Sequence, residues 1–156
     1  MVRLSDLHRE EGERMAQIGE QLPSVEAGQW ITPKPLAQSK VALITTSGIH
    51  RRSDPPFRPG VHEYRLLPDD LDIGELVMTH MSSNFDRSAF QEDPNVVLPI
   101  ERLHELVDAG HIGSVSKWHY GFMGAVPNPL LLEDIGEQVG RLLAQDGVDV
   151  AVLLPV

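Results

Sequence analysis

Val41-Ala42-Leu43-Ile44-Thr45 is a continuous apolar run containing β-branched residues, followed at once by the polar stretch Thr46-Ser47-Gly48-Ile49-His50. A run of this kind has no polar side to turn to water, so it reads as a strand buried on both faces, as in a parallel sheet covered by helices. Val148-Asp149-Val150-Ala151-Val152-Leu153-Leu154 has the same character near the other end of the chain. Between them, 131–145 places Leu132, Ile135, Val139, Leu142 and Leu143 on one helical face, and Asp146-Gly147 turns the chain into the second run. Pro99 suits the first turn of another helix, with Ile100, Leu103, Leu106 and Val107 on one face and Gly110 as its stop.

Two further strand candidates are 75–79 and 112–118, and 64–67 is a short extended piece. The order strand, strand, helix, strand, helix, strand predicts an α/β domain with a mainly parallel sheet, covering helices and three layers. Residues 41–156 form this domain. Residues 1–40 precede it as an amphipathic helix, marked by Leu4, Leu7, Met15, Ile18 and Leu22, and an irregular arm interrupted by Pro23, Pro33 and Pro35.

Ligands of such sheets bind beyond the carboxyl ends of the strands. The segments expected there are Thr45 to His50, Thr79 to Asp86, His119 to Gly124 and whatever follows Leu154. His50, His80 and His119 each fall just after a predicted strand. Three imidazoles meeting there could bind a transition metal or act as general acid and base; alternatively, they are loop residues bonded to backbone. Thr45, Thr46, Ser47 and Gly48 offer hydroxyls and N–H groups for a carboxylate or phosphate, although Gly48 could equally serve a tight turn, and the lysine of a P-loop is absent. Ser82, Ser83, Asn84 and Asp86 gather hydroxyl, amide and carboxylate groups in one loop, where Asp86 could orient His80. Tyr120, Phe122 and Met123 could line an apolar pocket or belong to the core.

Thirteen Lys and Arg against twenty-three Asp and Glu give a net charge of −10, which disfavours nucleic acid and anionic membranes as partners. The compact basic cluster His50-Arg51-Arg52 sits near Asp54 and reads as a loop anchor or a clamp on a small anion. No apolar run is long enough to span a bilayer and Met1 to Glu20 lacks the apolar centre of a signal peptide, so a cytoplasmic protein is expected. With no cysteine, the sequence supplies neither disulfides nor a thiolate nucleophile.

Read together and in order, Val41 to Gly48, Asp54 to Phe57, His80 to Asp86, Asp93 to Ile100, Gly110 to Gly113, His119 to Gly124 and Asp146 to Asp149 resemble the selenoprotein B family of the glycine, sarcosine, betaine and D-proline reductases. The likeness covers 41–156 and is strongest to the small D-proline-reductase type of subunit. It implies that the strand ending at Leu154 leads into a selenocysteine or cysteine and a further helix, so that the last helix is missing and the sequence stops at Val156 because a UGA codon is read as termination. It also implies that the selenolate or thiolate cleaves a C–N bond of a small amino-acid-like substrate reductively. No cofactor is expected in this chain; a pyruvoyl group would reside on a partner reductase subunit, and a homo-oligomer is expected. His80, His119 and Asp86 are then the catalytic candidates, and Thr45, Thr46, Ser47, Gly48, Ser82, Asn84, Tyr120 and Met123 the substrate-binding ones. The alternatives are a metal-dependent hydrolase or lyase built on His50, His80 and His119, and a noncatalytic binding subunit.

Overall fold

The computed structural model describes residues 3–24, 28, 29, 31–82, 85, 87–124, 126 and 128–155. Its main sheet is built around β1 (Lys40–Thr45). On one side β1 pairs in parallel with β7 (Val150–Leu154), in register from Val41↔Val150 to Thr45↔Leu154. On the other side it pairs in parallel first with the short β5 (Ser114–Val115) and then with β6 (Trp118–Phe122). The sheet closes with β3 (Tyr64–Pro68), antiparallel to β6. The remaining strands, β2 (Ile49–Arg51) and β4 (Leu76–Met78), pair antiparallel in a separate two-stranded sheet.

Alternation along β1 divides the core. Val41 and Leu43 face α3 (Ile100–Asp108), whose Ile100 and Leu103 join them in a cluster with Leu67, Val97 and Leu98. Ile44, together with Tyr120 and Phe122 of β6, faces α4 (Glu133–Gln145), which supplies Ile135, Val139, Leu142 and Leu143. Helix, sheet and helix therefore form the three layers that the apolar periodicity predicts. Burying a Leu or Ile side chain is worth about 1.5–3 kcal/mol, whereas exposed pairs such as Arg9–Glu13 and Arg102–Glu105 contribute about 0–1 kcal/mol, so these two clusters hold the fold. The predicted amphipathic helix is present as α1 (Arg9–Gln21), preceded by a 3-10 turn at Leu4–Asp6, and none of its residues is buried. The fourth helix, α2 (Ser88–Glu92), is a single short turn.

The structure corrects two expectations about strands. The strand expected over 112–118 is split by a bulge at Ser116-Lys117 into the short β5 within that range and β6, which starts at Trp118 and pairs with β3 through Phe122. His119 is therefore inside a strand and not in a loop beyond one. The strand expected over 75–79 joins β2 and not the main sheet.

Gly121 explains how the small sheet is seated. A Cβ at this position would lie 2.5 Å from the backbone oxygen of Ile49, so β2 crosses β6 closer than any side chain permits. Overpacking of a fixed core commonly costs about 1–3 kcal/mol. Gly121→Ala is expected to lose about that much or more in urea denaturation; unchanged stability would mean that β2 does not press on β6.

Candidate functional site

The turn leaving β1 is tied into its neighbours by a run of backbone bonds. Thr46 N–H donates to Leu154 O at 3.1 Å, Gly48 N–H donates to Phe122 O at 2.8 Å, and Thr79 N–H donates to Gly48 O at 3.0 Å. Ser47 forms an isolated antiparallel bridge with Met123. The carboxyl ends of β1, β6 and β7 and the chain following β4 thus meet at residues 45–48. Gly48 has φ +71°, and a Cβ there would lie 3.0 Å from His80 N and Cα and 2.9 Å from the Met123 methyl carbon. Both the left-handed conformation and the close approach require glycine.

Thr45, Ser47 and His80 are buried polar residues at this turn. Thr45 Oγ1 donates to Ser47 Oγ at 2.9 Å and accepts Ser47 N–H at 3.3 Å. This leaves the Ser47 hydroxyl proton available for an incoming acceptor. His80 Nδ1 accepts the Ser82 N–H at 3.2 Å, which puts the ring proton on Nε2. Among the described residues His80 Nε2 is buried with no hydrogen-bond partner. Desolvation and then the nearby Arg87 charge hold the imidazole below its usual pKa, so it is a neutral donor near pH 7. Its ring packs on Phe85 with centroids 4.6 Å apart. A buried donor left without an acceptor costs about 1–3 kcal/mol and marks a place where an acceptor is expected.

Of the other predicted residues, Asn84 and Asp86, with Ser83, lie outside the described residues. Tyr120 faces the α4 layer, edge-on to Tyr64 with centroids 5.7 Å apart, and burial raises its pKa. His50 lies within β2, donates from Nδ1 to Arg51 O at 2.8 Å and packs on Phe57. Arg51 is committed to Asp54 through two contacts at 2.8 and 3.1 Å, so the basic cluster resolves as a loop anchor.

His119 has a structural task that its sequence context does not reveal. The bulge at Ser116-Lys117 sends Ser116 N–H to Val41 O and turns Lys117 O toward Asp69 N–H, which leaves Leu43 N–H facing the His119 side chain. His119 Nδ1 accepts that N–H at 3.0 Å, and Nε2 faces Asp69 Oδ1 at 3.4 Å. Asp69 also accepts from His104 Nε2 at 3.0 Å, a pairing for which the sequence carries no local signal. Asp69 follows β3, where Pro68 pairs with Trp118, so this group sits at the amino end of β6, away from the Thr45–Gly48 turn. The three imidazoles do not converge: among the described residues no three His, Asp or Glu side chains gather as metal ligands.

A cavity of about 200 Å³ adjoins the turn at Met123, lined also by Arg58, His62, Met81 and Leu132. Met123 is both buried and part of the cavity lining, and Arg58 is marked in the sequence only as a lone arginine within the proline-rich stretch 55–60.

The family model described as glycine/sarcosine/betaine reductase selenoprotein B matches residues 20–155. The chain belongs to this family. It is 31% identical over 123 residues to D-proline reductase subunit gamma of Acetoanaerobium sticklandii, a match covering 78% of this chain and 50% of that protein. In Peptoclostridium acidaminophilum, the beta subunit of sarcosine reductase complex component B is 24% identical over 127 residues, covering 77% of this chain and 28% of the relative. The corresponding betaine reductase subunit of the same organism is 27% identical over 127 residues, with the same coverage of 77% and 28%. The chain therefore spans about half the length of the first relative and less of the other two. No solved structure matches it. Its relatives are components of reductase complexes, and no described helix is long and apolar enough to cross a membrane.

Burial outweighs the Asp69 contact and lowers the His119 pKa below the usual value of about 6.5. Below about pH 6.5 the unfolded chain gains a proton that the folded chain refuses, so this group costs stability as pH falls toward its folded pKa and nothing above that window. His119→Leu is expected to lose about 1–3 kcal/mol at pH 7.5, from the orphaned Leu43 N–H. Its stability should then fall less steeply than that of the unaltered chain between pH 6.5 and 5. Urea titrations at these pH values check both, and an unchanged slope would contradict the assignment.

Proposed function

We propose that the chain is part of a subunit of a reductase that cleaves a C–N bond of a small amino-acid-like substrate, with a selenocysteine or cysteine following Val156 as nucleophile. The supporting observation is the register of β7 against β1. Leu154 pairs with Thr45 and its carbonyl accepts Thr46 N–H, so the chain leaving β7 emerges beside Thr46, Ser47 and Gly48. A selenolate or thiolate delivered there would meet the Ser47 hydroxyl, a donor suited to an anion, because the N–H groups of Thr46, Ser47 and Gly48 are already taken by Leu154, Thr45 and Phe122.

In this reading the nucleophile's electron pair forms a bond to the carbon bearing the nitrogen while the C–N bond breaks. The nitrogen leaves with its electron pair and takes a proton. A second thiolate then attacks the selenium or sulfur, forming a selenenyl sulfide or disulfide as the bond to carbon breaks; the carbon leaves with that electron pair and takes a proton, so the two electrons of the reduction come from oxidation of the thiol pair. His80 provides the hydrogen-bond donor to substrate through Nε2–H, and Ser47 a second donor. His119 holds β1 and β6 together and takes no part in the chemistry. Asn84 and Asp86 remain candidates beside His80. Any pyruvoyl group would come from a partner subunit, and the assembly would work in the cytoplasm.

The test is the gene beyond the Val156 codon, combined with the intact mass of the protein from its native source. An in-frame UGA followed by further sense codons, with a product heavier than 156 residues and carrying selenium, is the expected result. UAA or UAG with no continuing frame would overturn the selenocysteine reading, and an in-frame UGU or UGC would replace it with the cysteine form.

A further inference from the structure

The cavity beside Met123 combines a small apolar interior with a guanidinium. Met81, Met123, Leu131 and Leu132 contribute apolar lining, and Arg58, His62 and Glu63 line it as well. Glu63 is taken up by Arg65, at 2.8 Å. Arg65 also donates to Pro55 O at 3.0 Å and lies over the Phe57 ring, which fixes it away from other duties. Among the described residues the Arg58 guanidinium has no ion pair or hydrogen bond. On a chain with net charge −10, a cavity whose one acid among the described lining residues, Glu63, is held chiefly by Arg65 and only weakly by Arg58 is a local positive site.

We infer that this cavity binds the carboxylate end of a small amino-acid-like substrate, with Arg58 as the anion partner and Met81 and Met123 against its carbon skeleton. The identity of the ligand as substrate rests on the reductase reading; the site itself rests on the geometry. A volume of about 200 Å³ is below the roughly 300–1,000 Å³ of sites for drug-sized ligands, and it suits a molecule of amino-acid size. Guanidinium presents paired donors that match a carboxylate, and a carboxylate leaving water for a mouth lined by methionine needs such a partner. Location supplies the second strand of support. Met123 bridges to Ser47, and Leu132 is shared with the adjacent apolar groove that holds Thr46 and Leu153. A substrate anchored at Arg58 thus extends toward the turn beside which β7 ends. Met81 and Met123, being unbranched and adaptable, would set the size of side chain or ring admitted.

The experiment is titration of the 156-residue chain, labelled at its methionine methyl groups, with D-proline and with D-prolinamide. D-Proline is expected to shift the Met81 and Met123 methyl resonances, and the amide to bind at least roughly tenfold more weakly, as loss of a charge-assisted contact implies. Arg58→Gln should weaken D-proline by a similar factor, whereas Arg52→Gln, at an exposed arginine 3.9 Å from Glu75, should leave it unchanged. Equal binding of acid and amide, undiminished binding to Arg58→Gln, shifts confined to Met15 or Met78, or no shift at saturating ligand would each overturn the inference. Carboxylate binding at Arg58 together with a gene that ends at Val156 would retain the site and dismiss the reductase chemistry, so the two failures are distinguishable.

Discussion

The parallel pairing of β7 with β1 is the constraint on which the rest depends. It is fixed at its start by reciprocal contacts between two residues. Asp149 N–H donates to Lys40 O at 2.9 Å, and Asp149 Oδ2 accepts Lys40 N–H at 3.0 Å. Lys34 at 2.7 Å and the Lys40 side chain, bonded to Asp146 O at 2.6 Å, complete the clasp. With the amino ends joined there, five consecutive pairs follow without a bulge and Leu154 arrives opposite Thr45. A one-residue slip would reverse every side chain of β7 and carry the end of the strand away from Thr46. The opposite flank of β1 is less regular, and there a side chain, His119, replaces the missing backbone acceptor.

The two flanks also explain how far the sequence could be read. Val41 to Thr45 and the face of α4 are legible because burial on a regular element imposes a period, and the period survives in the residues. The placement of β6 is not. His119-Tyr-Gly-Phe-Met-Gly124 has the glycines and polar groups of a loop, yet Gly121 is there because β2 crosses at van der Waals limits and His119 because a distant bulge exposes an N–H. Both reasons are long-range contacts with no local pattern. The same holds for Asp69, which meets two histidines from 35 and 50 residues away. By contrast, the turn that follows Thr45 is legible in advance, since placing Thr46 to Gly48 beyond a strand's carboxyl end needs only β1 to be read correctly.

Family membership and geometry bear on function at different levels. Membership places the chain in the glycine/sarcosine/betaine reductase selenoprotein B family, beside relatives that are subunits of reductases. The structure adds a polar turn at the end of β1, an unpartnered His80 donor among the described residues and a small cavity lined in part by the Arg58 guanidinium. It also separates two sets of histidines that look alike in sequence. His80 accepts the Ser82 N–H on Nδ1 and has no partner for Nε2 among the described residues, while both ring nitrogens of His119 face protein groups.

The central claim is that substrate is handled at the carboxyl ends of β1, β6 and β7. Hydrogen–deuterium exchange of the complete native reductase, with and without its small substrate, tests this directly. Substrate should slow exchange in peptides covering 45–48, 79–82 and 122–124, and leave those covering Asp69, His104 and Lys117 unchanged. Protection confined to the Asp69–His104 end of the sheet would contradict the account.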